Sequence, residues 1–401
     1  MYDVIVIGAR CAGSPTAMLL ARKGYKVLLV DKAEFPSDTI STHIIWPPGA
    51  SRLKRWGLLE KVASTGAPLI NRLSFDVGPF ALRGSLPPFE GVSDCYAPRR
   101  TFLDKILVDA AVEAGVELWE NSSVTGLRFN DDGRVTGISC RPRTGKEKRV
   151  SARMIIGADG RNSVVAREVG ALKYNEAPVL ACWYYAYWSG LATDEIVFCL
   201  RPNRAIGAIS TNDGMVCVVV SSPVREFDKW RGDLEGNYSR SLELTPDLSQ
   251  RLKGSKRESR IVGTADIPNF FRKPYGPGWA LVGDAGYHKD PIGAQGISDA
   301  FRDAELLANA VDAGLSGRRP IDDALDDYER SRNEAVEAMY EFNCRMASHE
   351  PPPPEMQQIF GALRGNQSDT DRFMGTLAGT VPVQEFFSPE NTQRMLGRAV
   401  H

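Results

Sequence analysis

The sequence predicts an α/β chain: a Rossmann-like parallel-sheet domain, an antiparallel-sheet domain interleaved with it, and a helical C-terminal region. Three observations carry this. The apolar run Val4-Ile5-Val6-Ile7 leads into the glycine turn Gly8-Ala9-Arg10-Cys11-Ala12-Gly13 and then a helical stretch. A second run, Met154-Ile155-Ile156-Gly157, leads into Ala158-Asp159-Gly160. A third, Trp279-Ala280-Leu281-Val282-Gly283-Asp284, leads through Ala285 to Asp290 into Pro291-Ile292-Gly293-Ala294-Gln295-Gly296-Ile297 and a long amphipathic helix. Buried parallel strands read as continuous apolar runs, and ligands bind at the turns beyond their carboxyl ends.

At 401 residues the chain exceeds what one core usually holds, which points to two or three domains. A formal net charge of −1 gives no basis for nucleic-acid binding. The seven cysteines are scattered, with no Cys-x-x-Cys pair and no Cys/His cluster. They read as reduced thiols of a cytoplasmic protein, and no metal is expected. The chain opens directly on strand residues, so no signal peptide is expected, and no apolar run approaches the roughly twenty residues of a membrane span.

In chain order, Gly8 permits a tight turn and Gly13 close packing of helix on strand. The helix Ser14 to Lys23 carries Ala17, Leu20 and Ala21 at helical spacing, and its N-terminus is placed to receive a pyrophosphate. Pro15 is tolerated in the first helical turn. Tyr25 to Val30 is the next strand, and Asp31 at its end is placed to bond a ribose. Where the fingerprint has its middle glycine this chain has Arg10. Either the turn has lost its ligand, or the Arg10 N–H still serves it with the guanidinium over the phosphates or the adenine side.

The loop Phe35 to His43 is too long for a simple connection and is assigned to the bound ligand. His43 within it is an acid–base group, a substrate contact or a hydrogen-bonded structural residue. Short helices follow over 49–56 and 58–63, then strands over 73–76 and 80–83. Arg99 and Arg100 precede an amphipathic helix, Thr101 to Ala114, for which Thr101 is a candidate cap; the two arginines are surface charge or a clamp on phosphate. A strand over 116–119 and a hairpin over 122–129 and 134–141 follow. Asp159 either caps the helix starting at Val164 or meets a phosphate or ribose.

Strands over 180–187, 195–200, 205–211 and 215–221 then succeed one another with no helix between them, as in a separate antiparallel sheet. The first holds Trp183-Tyr184-Tyr185-Ala186-Tyr187. Sheet packing claims one face of it, and the other face can line an apolar pocket for an aromatic ligand. Residues 223–244 read as helical, 260–267 as a returning strand, and 297–313 and 321–346 as long helices. Pro351 to Pro354 break the chain, and the short helices beyond are a cover over the sheet or a dimer contact.

Gly8 to Gly13 with Asp31, then Asp159-Gly160, then Gly283-Asp284 with Pro291-x-Gly293-x-x-Gly296 resemble, in this order, the motifs of the p-hydroxybenzoate hydroxylase-like superfamily of FAD-dependent oxidoreductases. That superfamily holds group A flavin monooxygenases, geranylgeranyl-reductase-like enzymes and flavin-dependent halogenases. The resemblance spans roughly residues 1–330. The family histidine after Asp-Ala-Ala is Tyr287 here, with His288 one place on. The halogenase run Gly-x-Trp-x-Trp-x-Ile-Pro and the reductase run Tyr-x-Trp-x-Phe-Pro are both absent from the chain.

The resemblance implies a discontinuous FAD-binding domain (1–72, 98–172 and 260–330), a substrate domain (73–97 and 173–259) and a C-terminal helical region (331–401). It implies FAD held by Gly8, Arg10, Cys11, Ala12, Gly13, Asp31, Lys32, Ser41, Thr42, Arg100, Val124, Asp159, Gly283, Asp284, Pro291, Gly293, Ala294, Gln295, Gly296 and Ile297. Asp31 would bind the adenosine ribose, Asp284 the ribityl or pyrophosphate side, Val124 the adenine, and Asp159-Gly160 both FAD and NAD(P)H. The implied reaction is NAD(P)H-dependent hydroxylation of an apolar or aromatic small molecule by O2 through a C4a-hydroperoxyflavin. A reductase of isoprenoid-type double bonds, a halogenase and a non-catalytic flavin-binding partner are the alternatives. His43, Trp183, Tyr185 and Tyr187 are the candidate substrate contacts, and a monomer or homodimer is expected. The turn at Gly293 is expected to aim free N–H groups at the reduced flavin, with Gly293 adopting dihedrals that other residues resist.

Overall fold

In a computed structural model that describes residues 1–191 and 193–398, the apolar runs form one eight-stranded sheet. Residue 192 and the last three residues of the expected C-terminal region, 399–401, lie outside the described residues. The parallel part has the order Trp279–Leu281, Lys148–Gly157, Tyr2–Ile7, Val27–Val30, Glu117–Trp119. Ile7 pairs with both Val30 and Gly157, so the central strands end level and their turns emerge together.

Side chains alternate across a strand. Val4, Val6, Val27, Leu29, Met154 and Ile156 enter one core, against the helices Gly13–Arg22, Arg100–Glu113 and Gly296–Leu315. Ile5, Ile7, Leu28, Val30 and Ile155 enter another, against the hairpin Ser122–Phe129 and Val135–Pro142. Both faces are covered, which is why these strands read as unbroken apolar runs.

The second sheet runs in the order Lys256–Arg257, Ala181–Ser189, Val216–Pro223, Arg204–Ser210, Ile196–Arg201, Arg72–Asp76, Ala81–Ser85. It is antiparallel except for one pair: Ile196–Arg201 lies parallel to Arg72–Asp76, with Ile196 opposite Leu73. The hairpin Arg72–Ser85 leaves the first domain early, and the chain returns to it only after that domain is nearly built. A third sheet of Lys173–Ala177, Asn269–Arg272 and Tyr287–His288 has strands too short to read from the sequence.

One expectation is corrected. The helix Arg100–Glu113 is capped at Arg99 without a side-chain bond, so Thr101 lies inside the first turn and is not its cap. The helix Ile321–Ala347 runs unbroken across the expected boundary at 330/331. Its buried Arg332 donates to the Gly286 carbonyl at 3.0 Å, and Tyr328 to the Leu281 carbonyl at 2.9 Å. These bonds tie the helix to the third glycine turn.

Beyond the prolines, the helices Pro354–Leu363, Gln367–Ala378, Val383–Phe386 and Pro389–Arg398 cover the second sheet. Phe360, Phe373, Met374 and Phe386 share a core with Leu73, Phe75 and Ile196. The Phe75 and Phe373 rings meet edge to face at 5.2 Å. Truncating the buried Phe373 to Ala should cost about 3–5 kcal/mol in denaturant unfolding. A loss below about 0.5 kcal/mol, the range of surface changes, would show that the tail is not part of the core.

Candidate functional site

The turns beyond the level strand ends enclose a cavity of about 630 Å³. Gly8 has φ of +100°, and a Cβ there would collide with the Ala158 carbonyl; a Cβ on Gly13 would collide with the Gly8 carbonyl. Both glycines therefore do what the turn requires, and Gly13 packs behind the wall rather than lining it. Asp31 accepts from Ala9 N and Ala33 N at 2.7 Å each, which locks the turn to the strand end.

Arg10 lines the cavity, and its guanidinium is held by other parts of the chain. It donates to Asp104 at 2.5 Å and to Ser37 Oγ at 2.8 Å, and lies over the Phe35 ring. Asp104 is fully buried and also takes Arg100 Nε at 3.0 Å and Cys11 Sγ at 3.5 Å. Burial, foremost, holds Cys11 as a neutral thiol. Asp104 is the residue that sequence reasoning missed. Its signal was the four-residue spacing from Arg100 on one helix face. Arg99 faces away, pairing with Asp213 and donating its backbone N–H to Asn212 at 2.8 Å, so of the two arginines only Arg100 serves the cavity.

Asp159 lines the cavity and supports the start of the helix Val164–Glu168, whose cap is Ser163: it accepts from Ser163 Oγ at 2.6 Å and Val164 N at 2.7 Å. Burial raises its pKa despite those donors. Asp284 differs: its carboxylate is exposed on the cavity wall and has no hydrogen-bond partner among the described residues.

The third turn is held from several sides. Gly283, at φ +60°, lies so close to the first turn that a Cβ would touch the Ala12 side chain at 2.7 Å. Trp46 Nε1 donates to the Gly293 carbonyl at 3.0 Å, and Gln295 Nε2 to the Leu377 carbonyl at 2.6 Å. Gly293 does not carry the unusual dihedrals; Ala294 does, at φ +52°. Gly293 is needed for space, since a Cβ would meet Asn343 Oδ1 at 2.6 Å. Gln295 is the N-cap of the helix Gly296–Leu315, but its side chain is spent on Leu377 and makes no cap bond. The helix N–H groups stay available, and nothing lies within 4 Å of a Cβ built on Gly296. Below the turn, Lys289 is engaged by Tyr287 and Asp299.

Gly8, Arg10, Cys11, Ala12, Asp31, Lys32, Ser41, Thr42, Arg100, Val124, Asp159, Gly283, Asp284, Pro291, Ala294, Gly296 and Ile297 are thus brought together around one cavity, with Trp183 and Tyr185. Gly13, Gly293, Gln295, His43 and Tyr187 are not on its wall. His43 is fully buried and bonds Tyr187 Oη through Nε2 at 2.8 Å. Burial, then Arg100 and Arg99, push its pKa down to about 3, so the ring is neutral. The strand alternates as its pattern suggests: Tyr184 stacks on Trp230 at 4.2 Å on the far face, while Trp183 and Tyr185 face the cavity. A smaller chamber of about 50 Å³ adjoins, sharing Thr42, Trp183, Ile209, Pro291 and Ala294 with the cavity. Leu73, Phe198, Gly207, Met346 and Leu377 complete its largely apolar wall. No helix among the described residues is long and apolar enough to cross a membrane, and none of their His, Cys, Asp and Glu cluster as a metal site.

The cavity fits a dinucleotide. It has Cβ-free turns for close backbone approach, an open helix N-terminus for anionic groups, and a free carboxylate for hydroxyls. Residues 1–343 match the family model described as FAD binding domain. A tryptophan 2-halogenase of Chondromyces crocatus is 25% identical, the match covering 86% of this chain and 69% of that protein. A digeranylgeranylglycerophospholipid reductase of Methanocella arvoryzae is 27% identical, with 86% of each chain covered. The solved structure of pqsL, a probable FAD-dependent monooxygenase from Pseudomonas aeruginosa, superposes with a TM-score of 0.71 at 20% identity, covering 93% of this chain and 98% of that one.

The two carboxylates should separate by experiment. Asp284→Ala should weaken FAD binding by about tenfold or more, losing a charge-assisted bond of roughly 1.5–3 kcal/mol. Asp159→Ala should chiefly lower stability, by about 1 kcal/mol for its lost hydrogen bonds to Ser163 and Val164. Equal FAD dissociation constants for the two variants would contradict this assignment. With its glycine turns, the cavity they enclose and its family match all pointing to one cofactor, the chain belongs to the FAD binding domain family and is an FAD-dependent oxidoreductase.

Proposed function

We propose that this oxidoreductase is an NAD(P)H-dependent monooxygenase acting on an apolar or aromatic small molecule. The observation that carries the reading is the apolar chamber beside the cofactor cavity, which has no ionisable side chain among the described residues of its wall. Such a space takes an apolar group by removing its surface from water and keeps the reacting end dry. It offers no cation to hold a halide, and Lys289 on the adjoining turn is already engaged by Asp299. This weighs for oxygenation over halogenation. The seven free thiols support a reducing, cytoplasmic setting.

On this reading the bound flavin supplies the redox chemistry, accepting a hydride from NAD(P)H and activating O2. The chain binds and orients. Asp31 holds the adenosine ribose, Asp284 the ribityl or pyrophosphate side, and Arg100, fixed by Asp104, a phosphate. The free N–H groups at Gly296 and Ile297, with about half a positive charge at the helix end, would favour negative charge on a flavin held in the cavity. Trp183 and Tyr185 face the substrate. The neutral His43 holds Tyr187 from behind and so braces Tyr185, whose ring lies 5.6 Å from that of Tyr187.

Aromatic compounds screened for stimulated NAD(P)H oxidation test the reading. Matching oxygen uptake and a hydroxylated product are expected. Turnover that persists without oxygen would mean a reductase, a strict halide requirement a halogenase, and no stimulated turnover a flavin-binding partner. Gly207 sets the size of the chamber: a Cβ there would meet Val219 Cγ1 at 2.9 Å, against the cavity wall. Gly207→Ala should therefore lower kcat/KM for the best substrate by roughly tenfold, the effect of one methyl in an apolar pocket. Unchanged kcat/KM would remove the chamber from substrate binding.

A further inference from the structure

Asp290 lies where the third turn meets the second sheet. It is fully buried and lines the cofactor cavity. Trp183 Nε1 donates to its two oxygens at 3.1 and 3.3 Å, and Ile292 N donates to Oδ1 at 3.0 Å. Its own N–H goes to Asn269 Oδ1 at 2.7 Å. No arginine, lysine or histidine pairs with it among the described residues. Its chain neighbours are turned elsewhere: Lys289 to Tyr287 and Asp299, His288 to the Pro268 carbonyl. From the strand Ala181–Ser189 it faces Trp183, and from Asn269–Arg272 the amide of Asn269, both neutral. From the helix Ile321–Ala347 it faces Cys344, a thiol pushed up to about 11 by burial and then by Asp290 itself.

A buried carboxylate without a cation is unfavourable, and such a group takes a proton instead. Burial pushes Asp290 up to about 7, against the pull of Trp183 and Ile292. It is therefore balanced between its two charge states near neutral pH. A second negative charge in the same dry cavity tips that balance towards the proton. A flavin that has accepted a hydride is such a charge.

We propose that Asp290 is a redox-linked proton acceptor, taking up one proton from water when the bound flavin takes up two electrons and returning it on reoxidation. Two electrons and one proton reach the flavin as hydride from the nicotinamide. The second proton comes from water and forms an O–H bond on Asp290, whose carbon skeleton is untouched. In the reduced state the site thus holds an O–H donor beside Trp183, at the boundary between cofactor cavity and apolar chamber. The inference rests on the FAD assignment and is independent of which substrate is oxidised.

The sign of the pH dependence follows. Below about pH 7 Asp290 is already protonated in the oxidised protein, so reduction takes up one proton per two electrons. Above that, reduction takes up two. The plot of flavin midpoint potential against pH should therefore steepen on the alkaline side of about 7, whereas a second proton on the flavin ring would steepen it on the acid side. Redox titration of the FAD-replete protein, by dithionite with mediator dyes, reads this directly. Asp290→Asn should show one proton per two electrons throughout. Trp183→Phe, which removes one donor to the charged form, should move the onset to higher pH. In a reduced-minus-oxidised infrared spectrum of the wild-type protein on the alkaline side, a protonated-carboxyl band should appear, and it should be missing in Asp290→Asn. A one-proton slope in the wild type with no carboxyl band, or a two-proton regime that survives in Asp290→Asn, would overturn the proposal. A colourless protein that takes up no added FAD would overturn the FAD assignment and the proposal together, so the two failures are distinguishable.

Discussion

The site depends on backbone meeting backbone where no side chain fits. The Gly8 turn lies against the Ala158 carbonyl, Gly13 against the Gly8 carbonyl, and Gly283 against Ala12. One Cβ at any of these places would push two strand ends apart. The level register of Ile7 with Val30 and Gly157 brings the turns to the same height, and the missing side chains let them close. The cavity is the space left above that contact. The helices behind it and the second sheet beside it are arranged around a junction that tolerates almost no added volume.

Charge within the site is settled in advance. Asp104 holds Arg10 and Arg100 in fixed positions before a ligand arrives, so their rotamer freedom is already spent. Below the third turn, Asp299 lies between Lys289 and Arg302, and Arg302 also meets Asp303 at 2.7 Å. Burial would raise the Asp299 pKa, but Lys289 and Arg302 outweigh it and keep the carboxylate ionised. Arg10, Arg100 and Lys289 are thus matched by anions of the chain itself. Asp284 and Asp290, like Asp31 and Asp159, line the cavity with no cation in hydrogen-bonding contact among the described residues. Asp284 is open to the cavity and Asp290 is sealed, and that difference in solvation gives them different chemistry.

What the sequence disclosed follows the range of each signal. The three glycine turns are local patterns at the ends of apolar runs, so their positions, the parallel sheet and most of the cavity wall were legible. Asp104 was not, because a four-residue spacing does not say which Arg–Asp pair on a helix turns inward. The guanidinium of Arg10 was assigned from the turn alone, and the partner that holds it lies on a distant helix. Gly293 and Ala294 show the same limit at closer range: glycine invites a conformational explanation, yet the left-handed residue is its neighbour, and the constraint on Gly293 comes from Asn343. The buried His43 and the partly buried Tyr187 form a pair, 144 residues apart, that only the folded chain can create. The parallel strand in the second sheet was invisible because strand direction across a long insertion leaves no mark on composition.

The bond from Gln295 to the Leu377 carbonyl joins the third glycine turn to the tail through a main-chain atom. The family match ends at residue 343, before the tail begins, yet Leu377 also walls the apolar chamber. Any residue at 377 would supply the carbonyl, whereas the side chain there decides how much room the chamber has. A side-chain change at 377 would therefore alter the chamber without removing the carbonyl that anchors the turn. Two requirements meet at this position: a support supplied by the main chain, and a chamber wall set by the side chain.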